Sequence, residues 1–172
     1  LSWMIIDVIK DGKPTLFGAC TGLVVGLVAI TPGAGFVPIW SAILIGGLVS
    51  PICCFTISLL KKKLMIDDAL DAFGCHGIGG VWGGIATGIF ANRSINDVAK
   101  WNGLLYGDYK LFLAQIAGIL ITIAVAVGGT LICLGVVRIF TPLRVEEKEE
   151  KVGLDVSEHG ESAYPTFNGL DS

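Results

Sequence analysis

From residue 36 to residue 60 no acidic, basic or imidazole side chain interrupts the chain. Three further stretches, 15–32, 69–91 and 111–140, are nearly as free of charge. A bilayer's hydrocarbon core is roughly 30 Å thick, and about 20 mostly apolar residues cross it as a helix. Each stretch therefore reads as a membrane-crossing helix, and the apolar opening LSWMIIDVI, about 1–10, reads as the tail of one more. Only 16% of the residues are charged, where soluble domains carry about a quarter. The expected fold class is an all-α polytopic membrane protein, with helices over 1–142 and a polar tail over 143–172.

Basic residues set an orientation. The turn before the first full span holds Lys10 and Lys13, the turn after the second holds Lys61, Lys62 and Lys63, and the tail holds Arg144, Lys148 and Lys151. The alternate side has no basic residue in TPGAGFVP (31–38) and three in the 92–110 loop: Arg93, Lys100 and Lys110. The excess of lysine and arginine places the first set, and the C-terminus, in the cytoplasm. No basic face suited to nucleic acid is present. The five cysteines lie inside apolar spans without metal-ligand spacing and read as small buried hydrophobes. No signal peptide is legible, and the opening in mid-helix suggests a piece of a longer chain.

Breaks between spans are explicit. TPGAGFVP has two prolines and two glycines, so a tight hairpin is expected there. Asp67 or Asp68 stands where an N-cap of the third span belongs. Thr141-Pro142 ends the last span, and nothing in the composition of the tail requires a fold.

Glycines recur every four residues in the first span (Gly18, Gly22, Gly26) and in the third (Gly80, Gly84, Gly88). Residues four apart share a helix face, and small residues in such a row let membrane helices approach closely. His76 is one step earlier in the second row, which would set its ring near a packed seam and away from lipid. A histidine inside a span is costly and usually faces the bundle interior or a water-filled path. The alternative is a neutral core histidine bonded to a neighbouring helix. Cys75 beside it is no catalytic partner, since adjacent helix positions point about 100° apart.

Asp67, Asp68 and Asp71 spell D-D-x-x-D. Such carboxylates hold Mg²⁺ against a diphosphate in membrane prenyltransferases, normally from two motifs. Only one copy is present, and a capped helix start is the simpler account. A structural membrane subunit assembled through its glycine rows is the remaining alternative.

Three segments carry a resemblance: GACTGLVVGLVAITPGAGFV (18–37), DDALDAFGCHGIGGVWGGIATGIFA (67–91) and GLDVSEHGESAY (153–164). Each is similar to a segment of the ammonium transporters, the Amt/Mep/Rh group, in the right order and over nearly the whole chain. The resemblance implies the C-terminal half of an eleven-helix, inverted-repeat fold, from the end of the seventh helix through the eleventh and the tail. It implies a homotrimer in the plasma (inner) membrane that moves ammonium or ammonia, with no enzymatic activity, cofactor or metal. His76 would be the second of two histidines that meet in mid-pore. Thr21 and Thr31 would offer pore-side hydroxyls, and Ala72 would line the cytoplasmic part of the path. Asp68 would order this region, while Gly80 and Gly84 would serve packing. Gly153, Asp155, His159, Gly160 and Tyr164 belong to the tail motif, which can serve regulation by a PII-type signalling protein. The first histidine belongs to the family's other half. Trp82 is larger than the family pattern suggests, and a packing difference is expected from it.

Overall fold

The computed structural model describes residues 1–163, and all of their regular structure is helical. It divides into two compact units, Leu1–Ile123 and the residues from Ala124 onward.

In the first unit, α1 (Ser2–Asp11) ends at Gly12, whose φ of 78° is open to glycine at little cost. The next helix, α2 (Leu16–Ile30), starts at Thr15, whose Oγ1 accepts the Gly18 N–H at 2.8 Å. That hydroxyl in turn donates to the buried Asp7 carboxylate at 2.8 Å, so one polar cluster closes the turn between α1 and α2. The expected hairpin is a 3₁₀ turn, Thr31–Gly33, followed by Gly35 at φ 78°. From there α3 (Ile39–Lys63) runs through Pro51 and places Lys61, Lys62 and Lys63 in its last turn. Their charge is favourable at a helix C-terminus.

A short π-helix (Phe73–Ile78) follows and continues directly into α4 (Gly79–Phe90). The expected third span, 69–91, is thus helical over 72–90, roughly 28 Å at 1.5 Å per residue. After the 92–110 loop comes α5 (Lys110–Phe140), 31 residues long. At about 46 Å it exceeds the hydrocarbon thickness and must tilt or project beyond it. Among the described residues, three segments are long and apolar enough to cross a membrane: Leu16–Gly33, Ile39–Lys62 and Lys110–Phe140.

The core lies where α2, α3 and α4 meet, around Val25, Ala29, Ile45, Val49, Cys53, Cys75 and Ala86. In lipid such a core is held by close packing, not by expulsion of water. Trp82 packs against it and donates its indole N–H to the Ile45 carbonyl at 3.0 Å, tying α4 to α3. Gly79 faces Val28, Gly83 faces Ala29, and Thr87 faces Gly33, so α2 and α4 run in the same direction.

The tail is more ordered than its composition suggests. Two short helices, α6 (Glu147–Val152) and α7 (Leu154–Ser157), follow the last span. Glu146 and Glu149 form a reciprocal capping box, which satisfies two of the N–H groups left free at a helix start. Arg144 grips Glu150 with contacts of 2.8–3.1 Å, and Lys151 pairs with Glu147 at 2.6 Å. Local hydrogen bonding of this kind does not register in mean hydropathy, so composition alone misses it.

Candidate functional site

Loop 64–71 enters the helix that carries His76 through an unusual backbone. Met65 and Asp71 adopt φ of 52° and 54°, the left-handed region that side chains rarely occupy. Asp68 folds over the helix start: its Oδ1 accepts the Ala72 N–H and its Oδ2 the Phe73 N–H, each at 2.9 Å. Of the two aspartates expected as caps, Asp68 therefore makes the bonds. Asp71 pairs with Lys61 at 2.7 Å, with its own side chain only 15% exposed. Two of the three carboxylates of D-D-x-x-D are thus committed to a helix cap and an ion pair. Among the described residues no group of three metal-ligating side chains assembles.

His76 stands in the π-helix, and this changes its register. A π-helix bonds residue i to i+5, one residue wider than the α-helix, and is used mostly as a single turn. The wider turn shifts the register of the helix entry against the row formed by Gly80, Gly84 and Gly88. Within this chain His76 is exposed and meets no packed seam, while its neighbours Gly74 and Cys75 are buried. Gly74 lies directly against the Ile57 side chain of α3, where a Cβ would collide. Among the described residues none hydrogen-bonds or pairs with the imidazole.

The glycine rows also separate. Gly84 lies against Ile119 and Gln115, and Gly88 against Phe112, so both bring α4 close to α5. At Gly80 a Cβ would meet nothing within 4 Å. The seam with α2 is formed by the neighbouring row, Gly79, Gly83 and Thr87. Its members also recur every four residues, so the sequence carries that signal too.

Thr21, half-buried, lies toward the Asp68 end of this assembly by the parallel register of α2 and α4. Thr31, toward the opposite end, is exposed and donates to the Leu27 carbonyl at 2.6 Å. His76 falls between their levels. Ala72 is exposed one turn before His76, with its N–H held by Asp68. A cavity of about 310 Å³ lies near the Thr31 end, lined by Pro32, Phe36, Thr87, Trp101 and Gln115 among others, and includes none of these residues.

In the second unit the tail motif forms one compact turn. Gly153 (φ 106°) separates α6 from α7, and Gly160 (φ 67°) closes the segment. Asp155 accepts the Ala163 N–H at 2.9 Å, and the His159 N–H donates to the Leu154 carbonyl at 3.3 Å. The Ala163 bond, with the Val156 N–H, holds the Asp155 carboxyl below its ordinary range. Tyr164 lies outside the described residues.

The membrane-length helices and the imidazole set within one of the helical passages define a polytopic integral membrane protein. Comparison with known proteins makes this specific. The sequence profile of the Ammonium Transporter Family matches residues 1–164. An ammonium transporter of Bacillus subtilis (strain 168) is 48% identical over 162 residues, which cover 94% of this chain and 40% of that protein. Ammonium transporter Amt1 of Archaeoglobus fulgidus is 46% identical, with 94% and 40% covered. The crystal structure of Saccharomyces cerevisiae Mep2 superposes with a TM-score of 0.80 at 39% identity, over 98% of this chain and 39% of that one. The chain belongs to the Ammonium Transporter Family, and it spans about 40% of the length of the relatives it matches.

Proposed function

We propose that this chain supplies the His76-bearing half of an ammonium-conducting pore. The observation that carries the reading is His76 itself: an exposed imidazole without a hydrogen-bonding partner among the described residues, on a π turn within a membrane passage. In lipid such a ring is costly, so it belongs beside a polar path or a partner supplied by the rest of the protein. A second histidine from the family's other half, ring to ring with His76, is that partner.

The chemistry favours ammonia over alkali cations. Moving a bare cation into a low-dielectric path costs many kcal/mol, whereas neutral NH₃ is far cheaper to place there. A neutral imidazole offers one donor and one acceptor without fixed charge. It can hydrogen-bond NH₃ once NH₄⁺ has released its proton, and K⁺ has no proton to release. Thr21, Thr31 and Ala72 line this path, and Asp68 holds the helix start beneath it. The chemistry is transport in which the substrate only gives up a proton, to water or by way of the imidazole rings, and takes one back, so no enzymatic role is assigned.

The full protein is a homotrimer in the plasma membrane with its tail in the cytoplasm, in keeping with the basic residues at 61–63 and beyond 143. The turn of Gly153, Asp155, His159 and Gly160 gives a PII-type regulator a surface to read. The test is His76→Ala in the complete transporter, reconstituted in liposomes. Loss of ammonium flux or of K⁺ exclusion is expected; unchanged flux with unchanged exclusion refutes the assignment.

A further inference from the structure

We infer that Asp71, held by Lys61, is the positioning residue that starts the π turn and thereby sets the direction in which His76 projects. The inference rests on the pore reading of His76 and adds the device that aims it. Asp71 is the last residue before the helix and sits at φ 54°, a conformation that aspartate tolerates better than most side chains. Its backbone is used on both sides: its N–H donates to the Asp68 carbonyl at 3.3 Å, and its carbonyl accepts the Cys75 N–H at 2.8 Å. Its carboxylate meets Lys61 Nζ at 2.7 Å.

Lys61 stands exposed in the last turn of α3, and the helix that carries it is packed further along its length. Cys53 and Val49 are fully buried, and Ile57 presses on Gly74 of the π segment. The entry to the helix is therefore pinned to α3 by the ion pair at residue 71 and by packing at residue 74. Between those points the Asp68 carboxylate occupies the Ala72 and Phe73 N–H groups. The wide turn begins at Phe73, immediately after.

A π turn behaves as one extra residue inserted into an α-helix. Without the clamp, residue 71 can leave the left-handed region and the turn can close to ordinary α geometry. That slips the helix entry by one residue, about 100° around the axis, relative to α4, and turns His76 away from its present direction. A small misplacement of a group that must meet its guest within hydrogen-bonding distance can cost orders of magnitude in rate.

The test compares Lys61→Ala, Lys61→Arg and Asp71→Asn in the complete transporter in liposomes. Asn removes the charge but still tolerates the left-handed backbone, and Arg retains the pair. Flux is read beside the ¹⁵N NMR signal of the His76 imidazole, assigned by its absence from the spectrum of His76→Ala. Lys61→Ala and Asp71→Asn are expected to lower ammonium flux at least about tenfold and to shift the His76 signal, while Lys61→Arg preserves both. If Lys61→Ala does not fold, the other two variants carry the same comparison. Wild-type flux and signal in Asp71→Asn, flux loss with an unmoved signal, or equal loss in Lys61→Arg overturns the inference. His76→Ala is measured alongside: if it leaves flux and K⁺ exclusion unchanged, the pore reading itself falls. If it alters them while the pair variants do not, only the positioning role falls.

Discussion

Replacing Gly83 with alanine sets a methyl group against the backbone of α2. The new Cβ would collide with the Ala29 carbonyl oxygen and lie 3.1 Å from both the Ala29 carbonyl carbon and Pro32 Cδ. Carbon atoms pack best at about 3.5–4.0 Å, so α4 must retreat by roughly half an ångström or more. The obstacle is backbone and a proline ring, neither of which can swing away. Overpacking of this kind costs about 1–3 kcal/mol. Against it stands the gain of about 1 kcal/mol that alanine brings to a helix interior over glycine. The net expectation is destabilisation of up to about 2 kcal/mol. Gly80→Ala is the matched control, because its Cβ meets nothing within 4 Å. There only the helix term acts, and stability should rise by roughly 0.5–1 kcal/mol. The two variants are compared by thermal unfolding of the 172-residue chain in detergent micelles. A Gly83→Ala chain as stable as Gly80→Ala would refute the register of α2 against α4.

The remaining predictions concern the helix entry and the tail. Asp68→Ala removes both cap bonds and should cost about 1–2 kcal/mol, with Asp68→Asn intermediate because it keeps one acceptor oxygen; the order of unfolding midpoints checks this. In the tail, the folded Asp155 carboxyl lies below its ordinary value of 3.8, chiefly through the Ala163 N–H. The depressed value means that its contribution is present at neutral pH and fades as pH falls below about 4 and through the folded pKa. A pH titration of amide NMR signals over 146–163 should show loss of order there, with the Ala163 signal of Asp155→Ala already displaced at pH 7.

Much of the fold is legible in the amino-acid sequence. The membrane class follows from long runs without charge, because hydrocarbon admits few exceptions. The hairpin at 31–38 follows from proline and glycine, whose backbone limits are local. His76 stands out for the same reason, as an ionisable ring inside an apolar segment. The cap of the third span narrows to two neighbouring aspartates, of which Asp68 makes the bonds. Of the row that the glycine spacing singles out, Gly84 and Gly88 do make a close approach, to α5, while Gly80 meets nothing and the approach to α2 is made one position earlier, at 79 and 83. Both rows are small-residue rows at the same spacing, and only the neighbouring helix distinguishes them.

Hydropathy and turn chemistry are properties of a residue and its near neighbours, so sequence alone is enough to say that this chain crosses a membrane and where it bends. The π turn is different in kind. Whether a carbonyl bonds the fourth or the fifth residue along is a choice between nearly equivalent local patterns. Here it goes with contacts distant in sequence: Lys61 on Asp71, and Ile57 on Gly74. The ordered tail likewise depends on which glutamate reaches which arginine or N–H. The exposure of His76 belongs to that second group, and it is the feature on which the functional reading turns.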